Sequence, residues 1–195
     1  MKRTVYIILI LALLLGMVLV GCSSNPAEGS GTEVAGNGEE QETKDEPEES
    51  KFGTRKNPVP LNQEVKVGSD WNVELVEIIP DAWSIIKKEN QFNEPPEEGH
   101  QYVMAKLKVT YIGEESGTPW VDLTVKYIGN DGNTYDSEYV VIPKALSDIG
   151  EQFSGASAEG NVDWSVSKDA LEGGTILVEE SFSFDDSRVF FEGVK

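Results

Sequence analysis

From Phe52 onward the chain alternates apolar and polar side chains with a period of two, which fits extended strands and not helices. The pattern is strongest over Gln101–Ile112, where Val103, Ala105, Leu107 and Val109 form one face and Tyr102 and Met104 the other. Glu64–Val67 reads as a short strand and Gly68–Asp70 as a turn. Trp71–Ile79 places Trp71, Val73 and Leu75 on one face, then shifts parity at Val76 and Ile78; a β-bulge near Val76 accounts for the shift. Trp120–Ile128 reads as a strand presenting Val121, Leu123, Val125 and Tyr127. Gly160–Ser167 presents Val162, Trp164 and Val166, and Thr175–Phe184 and Arg188–Val194 complete the set.

The breaks between these runs are turn chemistry. Asn130-Asp131-Gly132-Asn133 is a hairpin signal, since Asp-Gly supplies the positive φ angles of a type I′ turn, with Thr134–Ile142 as the returning strand. Two longer excursions interrupt the rhythm. Residues 81–100 allow a short helix from Ala82 to Asn90, followed by a loop around Pro95, Pro96 and Gly99. Lys144–Phe153, after Pro143, reads as a helical turn or loop. Seven to nine short strands with turns every 8–12 residues point to an antiparallel β-sandwich. The core is expected to hold Trp71, Trp120 and Trp164.

Residues 1–51 do not share this pattern. Met1-Lys2-Arg3 is a short cationic start, and Val5–Val20 is a 16-residue apolar run, short of the ~20 residues that span a bilayer. It ends in Leu19-Val20-Gly21-Cys22, which resembles the bacterial lipobox. That resemblance implies diacylglycerol attached to Cys22 by a thioether, cleavage between Gly21 and Cys22, and a chain anchored to the outer face of a cell membrane. A second acyl chain makes such anchoring stable where one is marginal. Cys22 is the sole cysteine, so the domain has no disulfide.

Residues 23–51 contain one Val, no aromatic residue and nine acids against two lysines. Such a segment cannot bury enough apolar surface to offset its ordering entropy, so it reads as a disordered acidic linker. A chain of this length spans about 30 Å on average. Residues 52–195 then form one domain of ordinary size, large enough to need no metal or disulfide.

That domain carries 26 acids and 12 bases, a net charge of −14 of the chain's −19. Such a field repels nucleic acid and anionic polymers. Catalytic signals are weak. His100 is the sole histidine, no serine lies in a Gly-x-Ser-x-Gly setting, and no zinc ligand set or phosphate-cradling glycine loop is present. Asp131, Asn133 and Asp136 have a faint calcium-loop look but lack its Gly and Glu positions, so the hairpin reading is preferred. No cofactor is expected and no enzyme activity.

Trp83, Ile85, Ile86 and Phe92 in the first excursion are the candidate binding loop, because function concentrates on loops carried by a rigid scaffold. The competing reading is that they plug one end of the sandwich.

Gly53-Thr54-Arg55-Lys56-Asn57-Pro58-Val59-Pro60-Leu61, Gly99-His100-Gln101-Tyr102-Val103, Asp131-Gly132-Asn133-Thr134-Tyr135 and Leu171-Glu172-Gly173-Gly174-Thr175 occur in this order. The set resembles a family of bacterial secreted lipoprotein domains, domain-of-unknown-function family 4352. That family is similar in fold to secreted mycobacterial antigens of the immunoprotective extracellular type. The resemblance implies an immunoglobulin-like sandwich at a cell surface and no particular ligand. The functional expectation is a non-catalytic binding or accessory module docking another surface protein or a cell-wall component. The alternatives are a structural or envelope-stress protein without a discrete ligand and, more remotely, an enzyme or inhibitor.

Overall fold

A computed structural model describes residues 52–182 and 187–195. Gly21 and Cys22, the expected cleavage and lipidation site, and residues 23–51, the expected linker, lie outside the described residues.

Ten strands lie among the described residues. Seven have four residues or more: β1 (Glu64–Val67), β2 (Trp71–Ile79), β3 (His100–Tyr111), β5 (Leu123–Ile128), β8 (Ser157–Ser167), β9 (Thr175–Glu180) and β10 (Val189–Glu192). Three have two residues: β4 (Ser116–Gly117), β6 (Thr134–Tyr135) and β7 (Gln152–Phe153). Two short helices, α1 (Trp83–Glu89) and α2 (Pro119–Asp122), interrupt them. One sheet runs β1-β2-β3-β8 and the other β10-β9-β5-β6, with β4 and β7 as a separate ribbon. Every pairing within them is antiparallel. The N-terminal segment extends the second sheet at β10, where the Val59 N–H donates to the Phe190 carbonyl at 2.8 Å and the Glu192 N–H to the Val59 carbonyl at 2.9 Å.

The core lies between the two four-stranded sheets. Trp71, Val73 and Leu75 from β2, Val103 to Val109 from β3 and Val162, Trp164 and Val166 from β8 meet Tyr127, Ile176, Val178 and Phe191 of the other sheet. The chain is therefore an antiparallel β-sandwich. The expected bulge falls between Leu75 and Glu77, so that Val76 has no register partner. One extra residue restores Ile78 to the inner face opposite Ala105 and sends Ile79 outward opposite Met104.

Burial along β3 divides in two. Residues from Tyr102 to Ala105 are buried on both faces, whereas from Lys106 to Thr110 the outward side chains are accessible. The difference is α1. Its Ile86, with Ala82 before it, packs on Tyr102, Met104 and Ile142 as a second apolar cluster on the outside of the first sheet. Where no helix covers it, the sheet presents Lys106 to Glu77 at 2.9 Å and Lys108 to Glu74 at 3.3 Å.

Five local expectations need correction. Trp120–Ile128 is not one strand: Pro119 sits in the first turn of α2 and the strand starts at Leu123. Proline's fixed φ favours that helical first turn. The Asp122 carboxylate holds it, accepting from the Thr118 N–H at 2.8 Å and the Trp71 indole at 3.3 Å. Trp120 consequently lies on the surface, not in the core, while Trp71 and Trp164 are fully buried.

The 130–133 hairpin exists, but not as a type I′ turn. The Gly132 N–H donates to the Gly129 carbonyl, the Gly129 N–H to the Asn133 carbonyl, and of the loop residues only Gly132 has a positive φ, at 87°. This is a three-residue loop, a type I turn closed by a glycine bulge. The returning strand stops at Tyr135, and residues 136–142 leave the second sheet to cross toward β8, where Ser137 bridges to Trp164. The strand expected over Thr175–Phe184 ends at Glu180.

Candidate functional site

The four residues singled out in the first excursion are not brought together. Trp83 is half-buried with its ring centroid 6.0 Å from that of Tyr102, Ile86 is fully buried and Ile85 packs partly beside it. Phe92 stands apart, 82% exposed. The loop behind it is held down by Asn93, whose side-chain amide donates to the Ile86 and Val141 carbonyls, each at 2.8 Å, and whose oxygen accepts from the Val141 N–H at 3.0 Å. Three of the four thus cover the outer face of the first sheet and do not close an end of the sandwich. Ile86→Ala is expected to cost about 2 kcal/mol by opening a cavity in this small cluster. Phe92→Ala should change stability by less than ~0.5 kcal/mol. Urea unfolding of the two variants measures both.

Polar chemistry concentrates elsewhere, on the outer face of β8. Inward Val162 and Trp164 place Asp163 outward, opposite Met104 of β3. In an uncovered sheet it would be wet. Here the segment 136–146 folds over it, joined to β8 by bridges from Ser137 to Trp164 and from Ala145 to Asn161. The Asn161 side chain donates to the Pro143 carbonyl at 2.6 Å. Close approach is permitted by Gly160, where a Cβ would come within 2.7 Å of the Leu146 Cα. Asp163 is left 2% exposed, and its Oδ2 has no hydrogen-bond partner.

Burial pushes the Asp163 carboxyl up to about 7, and the negative charge of Glu138 adds to the rise. Tyr102 on the neighbouring strand is also raised, by burial first and then by Glu138 and Asp163. Asp163 lines a recess of about 200 Å³ with Trp120, Glu138, Tyr139, Ile142 and Leu146. Beyond Trp120 a second, open depression of about 520 Å³ follows β5, lined by Val121, Leu123, Val125 and Phe182. β5 is open here, because β6 pairs with only its last two residues, Tyr127 and Ile128. Trp120, Tyr139 and Phe182 on this rim are 48%, 105% and 92% exposed.

The other candidates are less complete. His100 opens β3 opposite Ser167, with its Nδ1 unpartnered. Asp131 spends its carboxylate on the hairpin, accepting from the Asn133 N–H at 2.9 Å and the Asn133 amide at 2.7 Å. Those bonds hold its pKa below the usual carboxylate range. Among the described residues no group of three or more His, Cys, Asp or Glu is placed to hold a metal ion.

The architecture is that of a β-sandwich with a recessed carboxylate beside an exposed aromatic rim. No family model matches the chain, and no curated protein matches it. Among solved structures it is similar to a secreted protein of Mycobacterium tuberculosis, MPT63, at 14% identity over 69% of this chain and 97% of that one, with a TM-score of 0.44. A conserved hypothetical protein of Bacillus anthracis is 14% identical over 69% of this chain and 95% of its own, TM-score 0.45. An uncharacterized β-sandwich protein of Clostridium difficile is 10% identical over 69% and 93%, TM-score 0.43.

Proposed function

We propose that the chain is an extracytoplasmic lipoprotein, tethered to a cell membrane through Cys22, whose sandwich binds a partner without turning it over. The partner surface is the edge around Trp120. One observation carries this reading: Trp120, Val121, Tyr139 and Phe182 are exposed around two adjoining depressions, beside the stretch of β5 that β6 leaves open. Exposed apolar side chains are ordinary when scattered, but a contiguous group of large ones marks an interaction surface. Aromatic anchors beside desolvated pockets are also where binding energy concentrates. The tether is supported by Leu19-Val20-Gly21-Cys22, and a place at the cell surface by the resemblance that the ordered motifs from Gly53 to Thr175 carry to secreted lipoprotein domains.

The test uses the full chain in membranes, with cross-linking to neighbouring envelope components. Cys22→Ala is expected to leave the membrane fraction. A Trp120→Ala/Phe182→Ala double variant should lose its cross-linked partners while unfolding within about 0.5 kcal/mol of the wild type, as surface changes do. Identical cross-links in the double variant would refute the edge as the binding surface, and membrane retention of the Cys22 variant would refute the lipid tether.

A further inference from the structure

We propose that the recess over Asp163 is a binding site for an alkylammonium group, received by the Asp163 and Glu138 carboxylates and walled by Trp120 and Tyr139. This deepens the preceding reading and rests on it, since it names the chemistry of what meets the Trp120 edge.

The argument starts from the orphaned oxygen. Buried polar atoms in folded proteins almost always have partners, and each exception calls for an explanation. The Asp163 side chain is buried, lines the recess and leaves Oδ2 unbonded. The carboxyl takes one hydrogen bond from its own backbone N–H, and a buried carboxylate oxygen left without a partner is costly. The negative charge of Glu138 has the same sign and worsens that cost. Among the described residues no lysine or arginine forms an ion pair with either carboxylate. The arrangement lacks a cation, and none of the described residues supplies one.

The walls decide which cation. Calcium takes six to eight oxygen ligands and zinc takes four. The recess offers two carboxylates, two serine hydroxyls (Ser137 and Ser147) and Asn161, whose amide is already bonded to Pro143. Among the described residues no third charged or imidazole ligand joins them, and the set is too weak for either metal. An alkylammonium matches both halves: its nitrogen meets the carboxylates and its carbons meet the apolar wall. Exposed Trp and Tyr faces add cation–π attraction. At ~30 Å³ per water, the recess of about 200 Å³ holds a head group of a few heavy atoms and not a drug-sized molecule, which needs ~300 Å³ or more. The head group comes from a partner's lysine or from a small free amine.

The test is titration of the full chain in detergent micelles with n-butylammonium, tetramethylammonium and a lysine-bearing peptide. n-Butanol, sodium and the acetylated peptide are the controls. The readouts are the Trp120 indole N–H and the Asp163 carboxyl carbon by NMR. The titratable groups that face Asp163 are Glu138 from the covering segment and Tyr102 from β3, with Glu94 and Glu97 beyond Tyr102. Their titrations are followed alongside.

Saturable shifts with the ammonium probes, a lowered Asp163 pKa and affinity falling by up to about tenfold per pH unit below 7 are expected. Asp163→Asn should weaken binding by at least about tenfold, and Glu138→Gln by less, because its carboxylate is the more solvated. A peptide advantage over n-butylammonium identifies a partner's lysine, and equal affinity a free amine. Shifts that persist in Asp163→Asn, or that sodium or n-butanol reproduces, would overturn the site. Cross-links that depend on Trp120 and Phe182 without any ammonium binding would overturn this site alone and leave the edge standing. Ammonium binding with cross-links indifferent to those residues would overturn the edge instead.

Discussion

Asp163→Asn is expected to make the protein more stable at neutral and alkaline pH and to flatten a pH dependence that the wild type carries. The Asp163 carboxyl has an ordinary value of 3.8 and is pushed up to about 7 in the folded state, by burial first and then by Glu138. The folded state therefore holds its proton more tightly than the unfolded state. Below the unfolded value both states are protonated and the full stability is present. As the pH rises toward 7 the unfolded state ionises freely while the folded one resists, and stability falls. Above about 7 the loss is complete and constant. A rise from 3.8 to about 7 corresponds to ~4 kcal/mol, a large part of a typical domain's ~5–15 kcal/mol. The side chain is almost wholly buried, so solvent screening discounts this little. Asparagine has nearly the same shape and nothing to ionise. Urea unfolding should give the two proteins similar midpoints near pH 4 and separate them by a few kcal/mol near pH 8. Parallel pH profiles would show that Asp163 is not the strained group. The same cost explains why a cation would bind here: a partner that neutralises the carboxylate relieves it and stabilises the fold by mass action.

The sandwich was legible in the sequence because its strands obey a local rule. Val103, Ala105, Leu107 and Val109 point inward by alternation alone, and the parity shift after Leu75 located the bulge to a residue. The candidate site was not legible, because it is made by contacts between distant segments. Alternation around Val162 and Trp164 correctly turns Asp163 outward, which for an antiparallel sheet normally means toward water. Only the return of residues 136–146 across β8 buries it, and nothing near Asp163 in the chain announces that return. Trp120 failed in the opposite direction. Its neighbours Val121, Leu123 and Val125 continue a strand pattern, but the Asp122 carboxylate reaches back to Thr118 and across to Trp71 and winds the chain into a helical turn. A proline one residue ahead was the available signal. Trp83 and Ile86 group in the sequence, but periodicity does not say whether they face solvent or a sheet. The outward pair Tyr102 and Met104 on β3 held that answer.

Trp164→Ala is expected to bring the domain close to unfolding, whereas Trp164→Phe should be tolerated. Trp164 is fully buried between the sheets, its ring centroid 5.8 Å from that of Tyr127. Truncating a buried tryptophan to alanine costs about 3–5 kcal/mol in lost transfer energy and cavity formation. The indole Nε1 has no hydrogen-bond partner. An unsatisfied buried donor carries a penalty of ~1–3 kcal/mol, and phenylalanine removes it while keeping most of the apolar bulk. The two terms for Phe oppose each other and should leave a net loss of about 1 kcal/mol. Equilibrium unfolding in urea followed by far-ultraviolet circular dichroism separates the variants, and a Phe variant as unstable as the Ala variant would show that the indole N–H is satisfied after all. The pH dependence provides an independent check. Trp164 faces the core and Asp163 the recess on the other side of the same strand, so the loss at Trp164 should be equal near pH 4 and pH 8, with the wild-type slope intact. A tryptophan variant that altered this slope would mean that the core and the recess are coupled through β8, and that the charge on Asp163 is felt by the packing behind it.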